Sequence, residues 1–170
     1  MYEKEYEEYE REDVAELIEH YEQMVKDDSN YFFEETSFDQ IIEYYEEKQD
    51  ANRAMDVVER ALEQHPYAAN FLVKKAHLLF DKRNLDEAMA LLDKAEAMDS
   101  SDISIYLLRC DIYTWQGKYN KALNTIQAAM EIADADEKSD LYLELADVYE
   151  EWEKYDEVFD CLVRSLEIDP

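Results

Sequence analysis

One glycine and two prolines in 170 residues leave almost no material for tight turns. An all-β fold full of such turns is therefore excluded, and so is a glycine-rich phosphate loop. Cysteine is as scarce. Cys110 and Cys161 stand far apart inside apolar patterns, with no CxxC or Cys-His context, so they read as two buried thiols and not as a disulfide framework or a redox motif. His20, His65 and His77 fall in three different elements with no ligand at metal spacing, which argues against a zinc site. No stretch approaches ~18 apolar residues, so no transmembrane helix fits. The acidic start, Met1-Tyr2-Glu3-Lys4-Glu5, lacks the apolar run of a secretory signal. The expectation from these absences is a cytoplasmic protein. Basic residues are few too: 17 against 45 acidic ones, a formal net charge of −28. That balance opposes nonspecific nucleic-acid binding and docking to anionic membranes, and favours a basic partner or high solubility alone.

Hydrophobic residues still make up 47% of the chain, enough for a globular core, and the length fits one domain. Ala, Leu, Glu, Asp, Lys and Tyr dominate, which points to helices. Beneath the composition lies a repeat. Ala54, Ala88 and Ala122 recur every 34 residues, and Ala61, Ala95 and Ala129 recur in step with them. A fourth copy follows after 36 residues, with Val158 and Ser165 in the equivalent places. Within this frame the fourth position reads Phe38, Leu72, Tyr106, Tyr142; the eighth reads Ile42, Ala76, Cys110, Ala146; the eleventh reads Tyr45, Leu79, Tyr113, Tyr149. The twenty-fourth reads Val58, Leu92, Ile126, Leu162, and the thirty-second reads Pro66, Ser100, Asp134, Pro170.

These residues resemble the tetratricopeptide repeat family, whose 34-residue pattern has an aromatic near 4, a small residue at 8, Tyr at 11, Ala at 20 and 27, an apolar residue at 24 and Pro at 32. The resemblance covers residues 35–170. It implies an all-α, right-handed superhelical solenoid of helix-turn-helix repeats, because a single helix pair cannot bury its apolar face alone. The repeats are expected at 35–68, 69–102, 103–138 (with a two-residue insertion) and 139–170. Each copy shows two amphipathic stripes, such as Ile103, Tyr106, Leu107, Cys110, Tyr113 and then Tyr119, Ala122, Leu123, Ile126, Ala129, Met130. Expected turns are 47–50, 82–84, 116–118 and 153–154 within repeats. Between repeats they are His65-Pro66, 99–102 and a longer loop at 134–138 that holds the insertion.

The first 34 residues break the pattern, since His20 and Asp27 stand where the two Ala would. Val14, Leu17, Ile18, Tyr21, Met24 and Val25 form a stripe that predicts a helix over about 11–27, either an N-terminal cap on the first repeat or a degenerate half-repeat. Residues 1–10 are expected to fray or to extend that helix. Tyr31-Phe32-Phe33 is an apolar knot expected to tuck under the first repeat. At the other end Pro170 falls where a repeat ends and no polar capping helix follows. Some of Val158, Phe159, Leu162 and Val163 should then be uncovered, as in a piece of a longer array or a helix covered by another chain.

Nothing in the sequence singles out catalysis, a cofactor or a metal. No nucleophile elbow, P-loop or dinucleotide motif is present. Asp134, Asp136 and Asp140 lack the Gly and Glu that a calcium loop needs, with Ser139 and Leu145 in their places, and read as a solvated acidic turn. No catalytic, cofactor-binding or metal residues are assigned.

In the family, partners lie in the concave groove lined by each repeat's first helix. Carried over by position, the groove residues are Glu43 and Glu47 in repeat 1, Val73, His77 and Phe80 in repeat 2, Leu107, Asp111 and Trp115 in repeat 3, and Asp147 and Glu151 in repeat 4, with Thr36, Asp39, Gln40, Glu46, Asn70, Lys74, Asp81, Ser104, Leu108, Thr114, Asp140, Leu143, Glu144 and Glu150 at the remaining groove-facing positions. The middle is apolar and aromatic, the ends acidic. A family subclass clamps an anionic chain terminus through Lys, Asn and Arg; Asp39 and Glu43 stand at the matching places and would repel it. The resemblance thus implies a non-catalytic scaffold or adaptor for a protein segment with apolar anchors and basic flanks. Alternatives are a dedicated cytosolic chaperone for secreted proteins, a self-assembly module joined through the last helix, or acids that only solvate the surface.

Overall fold

The computed structural model describes the backbone of residues 2–169 and the side chains of residues 14–169. Nine helices and no strand are present among them: α1 Tyr2–Lys26, α2 Glu35–Glu47, α3 Ala51–Gln64, α4 Ala69–Asp81, α5 Leu85–Met98, α6 Ile103–Trp115, α7 Tyr119–Ile132, α8 Ala135–Glu151 and α9 Tyr155–Ile168. No helix among the described residues is long and apolar enough to cross a membrane. The chain divides into two compact units, Met1–Leu78 and Leu79–Pro170, with the boundary inside α4. Length alone suggested one domain. The division follows from repeat physics: each repeat contacts only its neighbours, so no single core gathers the whole chain.

The same backbone device ends the first helices. Gln49, Arg83, Gly117 and Glu153 each adopt positive φ, between 57° and 68°. Each sits at the same point of its turn, and the next residue donates its N–H five residues back: Asp50 to Tyr45, Asn84 to Leu79, Lys118 to Tyr113, Lys154 to Tyr149. These are Schellman closures, which satisfy helix carbonyls that would otherwise be orphaned. Asp28 closes α1 in the same way, its φ at 48° and Ser29 donating to Met24.

In the first unit α1 packs on α2 and α2 on α3. Its core holds Ile18, Tyr21, Met24, Phe33, Phe38, Ile41, Ile42, Tyr45, Ala54, Val57, Val58, Ala61 and Phe71. Helix α1 starts at Tyr2, well before residue 11, because no Gly, Pro or capping residue stops it sooner. The apolar knot splits: Phe33 is buried among Tyr21 and Phe38, whereas Tyr31 and Phe32 are exposed. The Gln64 amide ties the extended strap down, accepting from Phe33 N–H at 3.0 Å and donating to the Tyr31 carbonyl at 2.9 Å. His65 Nε2 lies 2.7 Å from the Phe33 carbonyl oxygen, which can only accept, so the Nε2–H tautomer satisfies it.

In the second unit α6 packs on α5, α7 and α8, and α8 on α7 and α9. Ala88, Ala95, Ala122 and Ala129 are fully buried, as are Ala54 and Ala61 in the first unit. A methyl group at these places lets helix backbones approach closely, while Leu92, Ile126 and Leu141 fill the space between. Arg109 stitches α6 to α5, reaching Asp93 at 3.0 Å and Glu96 at 2.9 Å.

The expected loop at 134–138 is not a loop. Asp134 accepts Glu137 N–H at 2.9 Å, and the Glu137 carboxylate accepts Asp134 N–H at 2.9 Å. This reciprocal capping box starts α8 at Ala135, so the helix reaches 17 residues, four more than α2, α4 or α6, taking up the two inserted residues and two more of the expected loop. The same bond consumes Asp134 as a cap.

Candidate functional site

The first helices of the repeats carry the polar, non-core face, and in the second unit they enclose a cavity of about 330 Å³. Phe80 of α4, Asp111, Thr114 and Trp115 of α6, and Glu144, Asp147, Val148 and Glu151 of α8 line it. The spacing brings them together. Residues 111, 114 and 115 lie on one face of α6, and 144, 147, 148 and 151 repeat the i, i+3, i+4, i+7 pattern on α8. The core sides of the same helices are held by Ile105, Ile112, Leu141 and Ala146, all buried.

The wall is aromatic on one side and anionic on the other. Trp115 is 54% exposed, which is unusual for a Trp, and Phe80 is half-buried. The Arg83 guanidinium lies over both rings, 4.8 Å from the Trp115 centroid and 5.5 Å from that of Phe80. The chain's own cation thus already uses these rings as a cation–π surface. Opposite, Glu144 is half-buried, and its carboxyl is held above the usual range, first by desolvation and then by the like charges of Asp111, Asp147 and Asp140. The site carries negative potential that a bound cation would relieve.

Of the ten expected groove residues, the structure brings five to this cavity: Phe80, Asp111, Trp115, Asp147 and Glu151. Thr114 and Glu144 join them, and Val148, which no positional rule had placed there, completes the lining. Val148 is nearly buried, with only an edge on the cavity, so its core periodicity hid it. Leu107 instead packs against the core of the second unit. In the first unit Glu43 and Glu47 are exposed on α2 and His77 is exposed on α4, while Val73 is buried and offers a partner little surface. Glu43 lies 3.8 Å from Lys74 Nζ, which also reaches Asp39 at 3.5 Å. Asn70 supports Asp39 at 3.4 Å. The acids of α2 are therefore partly matched inside the chain, a pairing that Lys74, six residues into the second repeat, could have signalled.

The first unit has a larger cavity, about 690 Å³, lined by Tyr21, Glu22, Val25, Lys26, Tyr45, Arg53, Asp56, Glu59, Arg60 and Glu63. Two of its charges answer one another directly. Glu22 accepts from Arg53 at 2.9 Å and from the Tyr45 hydroxyl at 3.0 Å. Burial pushes the Tyr21 phenol up to about 12, against the pull of Arg60, so it stays neutral. Cys110 and Cys161 are buried free thiols, and burial raises Cys110 to about 12, far from a reactive thiolate. Among the described residues no three His, Cys, Asp or Glu side chains are placed to hold a metal ion.

Comparison with known proteins agrees with this architecture. Two family models, both described as tetratricopeptide repeat, match residues 45–109 and 102–170. No curated protein matches the chain. Among solved structures, the chain is similar to the MamA protein, with 17% identity and a TM-score of 0.71 over 96% of this chain and 92% of that one. It is also similar to TTC0263, a thermophilic TPR protein in Thermus thermophilus, with 16% identity and a TM-score of 0.70 over 79% of this chain and 73% of that one. At such identity these likenesses establish the fold.

Proposed function

Since the chain belongs to the tetratricopeptide repeat family, a family of protein-interaction modules, we propose that it is a non-catalytic scaffold that holds a segment of another protein in the groove formed by α4, α6 and α8 of its second unit. The segment carries an apolar or aromatic anchor for Phe80 and Trp115, flanked by Lys or Arg for Asp111, Glu144, Asp147 and Glu151. The observation that carries this reading is the pairing of an exposed Trp with a half-buried carboxylate whose pKa is raised first by desolvation and then by like-charged neighbours. A cation beside an aromatic anchor removes both costs at once: it covers the ring and neutralises the acids. A net charge of −28 steers basic partners toward the surface and opposes nucleic acid. A cytoplasmic setting suits the two free, buried thiols.

Capture from source lysate tests the reading, with the wild-type chain and its Phe80→Ala/Trp115→Ala variant as baits at low and high salt. A protein held by wild type, lost from the variant and weakened by salt is the expected result. A protein retained equally by both baits would move the working surface elsewhere.

A further inference from the structure

We infer that the cavity of the first unit, between α1 and α3, binds a small zwitterion of dipeptide size, a ligand with one free ammonium and one free carboxylate. Tyr21, Val25 and Lys26 line it from α1, and Asp56, Arg60 and Glu63 line it from α3. Its volume, about 690 Å³, suits such a ligand. The cavity lies outside the groove of α4, α6 and α8, and the inference does not depend on the groove reading.

Two donors in the cavity lack an acceptor within the chain. Tyr21 is only 4% exposed, and its hydroxyl has no hydrogen-bond partner among the described residues, whereas the Tyr45 hydroxyl donates to Glu22 at 3.0 Å. Burial keeps the Tyr21 phenol protonated, so it can donate. Arg60 pulls on that phenol, which sets its guanidinium close by. Arg60 is half-buried, yet it forms no ion pair among the described residues, unlike Arg53 with Glu22 or Arg109 with Asp93. A charge withdrawn from water without a partner is costly, and a carboxylate that accepts from both donors removes the cost.

A plain anion does not fit the rest of the wall. Two of the four carboxylates there are taken, Glu22 by Arg53 at 2.9 Å and Glu59 by Lys75 at 2.8 Å. Asp56 and Glu63 form no ion pair among the described residues, and neither does Lys26. Charges of both signs are thus left over, Lys26 and Arg60 against Asp56 and Glu63. A bare phosphate would lie beside the two leftover carboxylates, in the field of a chain of charge −28. A net-neutral ligand carrying both signs answers the whole set. Spacing sets its size. Asp56, Arg60 and Glu63 are four and three residues apart on one face of α3, so the sign alternates over rises of about 6 and 4.5 Å. The two charges of a single amino acid hang on one Cα and fall short of that. Those of a dipeptide are separated by a further Cα–Cα step of about 3.8 Å and span it. Val25, 40% exposed, offers an apolar contact to a ligand side chain.

The test is isothermal titration of the full chain with leucyl-alanine. Companion probes are N-acetyl-leucyl-alanine, which lacks the ammonium, leucyl-alaninamide, which lacks the carboxylate, and leucine alone. The dipeptide should bind saturably, and each companion about tenfold or more weaker. Arg60→Gln, with unchanged circular dichroism, should weaken the dipeptide about tenfold or more, and Tyr21→Phe, which keeps the buried ring, about threefold. Asp56→Asn/Glu63→Gln should weaken the dipeptide but not the N-acetyl probe, a difference that damage to the fold would not produce. Phe80→Ala/Trp115→Ala should leave the titration unaltered; loss of binding there would place the dipeptide in the groove and overturn the inference. No saturation at about 10 mM dipeptide, equal binding by the blocked probes, or full affinity in Arg60→Gln would overturn it too.

Discussion

The hydroxyls of Ser139 and Ser165 lie 3.0 Å apart in the contact between α8 and α9, and both residues are buried. Ser165 stands where the three earlier repeats have Ala, and Ser139 is the residue that makes the exchange tolerable. The two roles are unequal. The Ser139 hydroxyl also reaches the Ser165 carbonyl at 3.3 Å, so Ser165→Ala leaves it an acceptor. Ser139→Ala strands the Ser165 hydroxyl and should cost more, about 1–2 kcal/mol. Chemical denaturation of both single variants checks the order; a costlier Ser165→Ala would reverse the assignment.

The turn after each first helix yields a second prediction. Gln49, Arg83 and Glu153 hold the left-handed conformation that Gly117 holds at its equivalent position. A Cβ on Gly117 meets nothing within 4 Å, so Gly117→Ala carries only the backbone penalty, about 1–2 kcal/mol. Gln49→Gly and Glu153→Gly relieve that penalty at some entropic cost and should raise stability by up to about 1 kcal/mol each. Melting curves that fall for Glu153→Gly would show that its side chain stabilises the turn.

Asp134→Ala removes one half of the capping box that begins α8. The expected loss is about 1 kcal/mol, and Glu137→Ala should lose less, since it leaves the N-cap acceptor in place. Hydrogen exchange at residues 135–138 reads the effect locally; unchanged protection in Asp134→Ala would contradict it.

Glu144 makes stability depend on pH. Its folded-state pKa lies above the ordinary 4.5, so the folded chain keeps a proton that the unfolded chain releases. Stability should fall as pH rises from about 4.5 through the raised value, and the whole penalty is present above it. Glu144→Gln should therefore melt higher than wild type at pH 7 and show little difference at about pH 3.5. A lower melting temperature for Glu144→Gln at neutral pH would mean that its carboxylate makes a stabilising contact.

Much of this was legible in the residues. The alanines at 34-residue spacing register the close helix contacts, since Ala54, Ala88 and Ala122 all lie fully buried. Phe80 and Trp115 stood out as large aromatics on a polar face, and they do line one cavity. What escaped was set by tertiary context or by local chemistry overlooked. Asp134 and Glu137 spell a capping box three residues apart, yet the acidic run around them looks like a loop. Val73 occupies a groove position by count but is buried. Arg83 looks like a turn residue until the folded chain lays its guanidinium over Trp115. Position in a repeat narrows which face a residue takes; it does not say how deeply the residue is buried there or which neighbour answers its charge.

The groove's chemistry can be read directly by selecting binders to the full chain from a random peptide display library and retesting them on Phe80→Ala/Trp115→Ala and Asp147→Asn/Glu151→Gln. The account predicts enriched sequences with an aromatic or aliphatic anchor beside Lys or Arg. Those peptides should lose about tenfold or more in affinity on the aromatic variant and much of their salt dependence on the amide variant. Enriched peptides that lack cations, or that bind the aromatic variant as tightly as wild type, would contradict it.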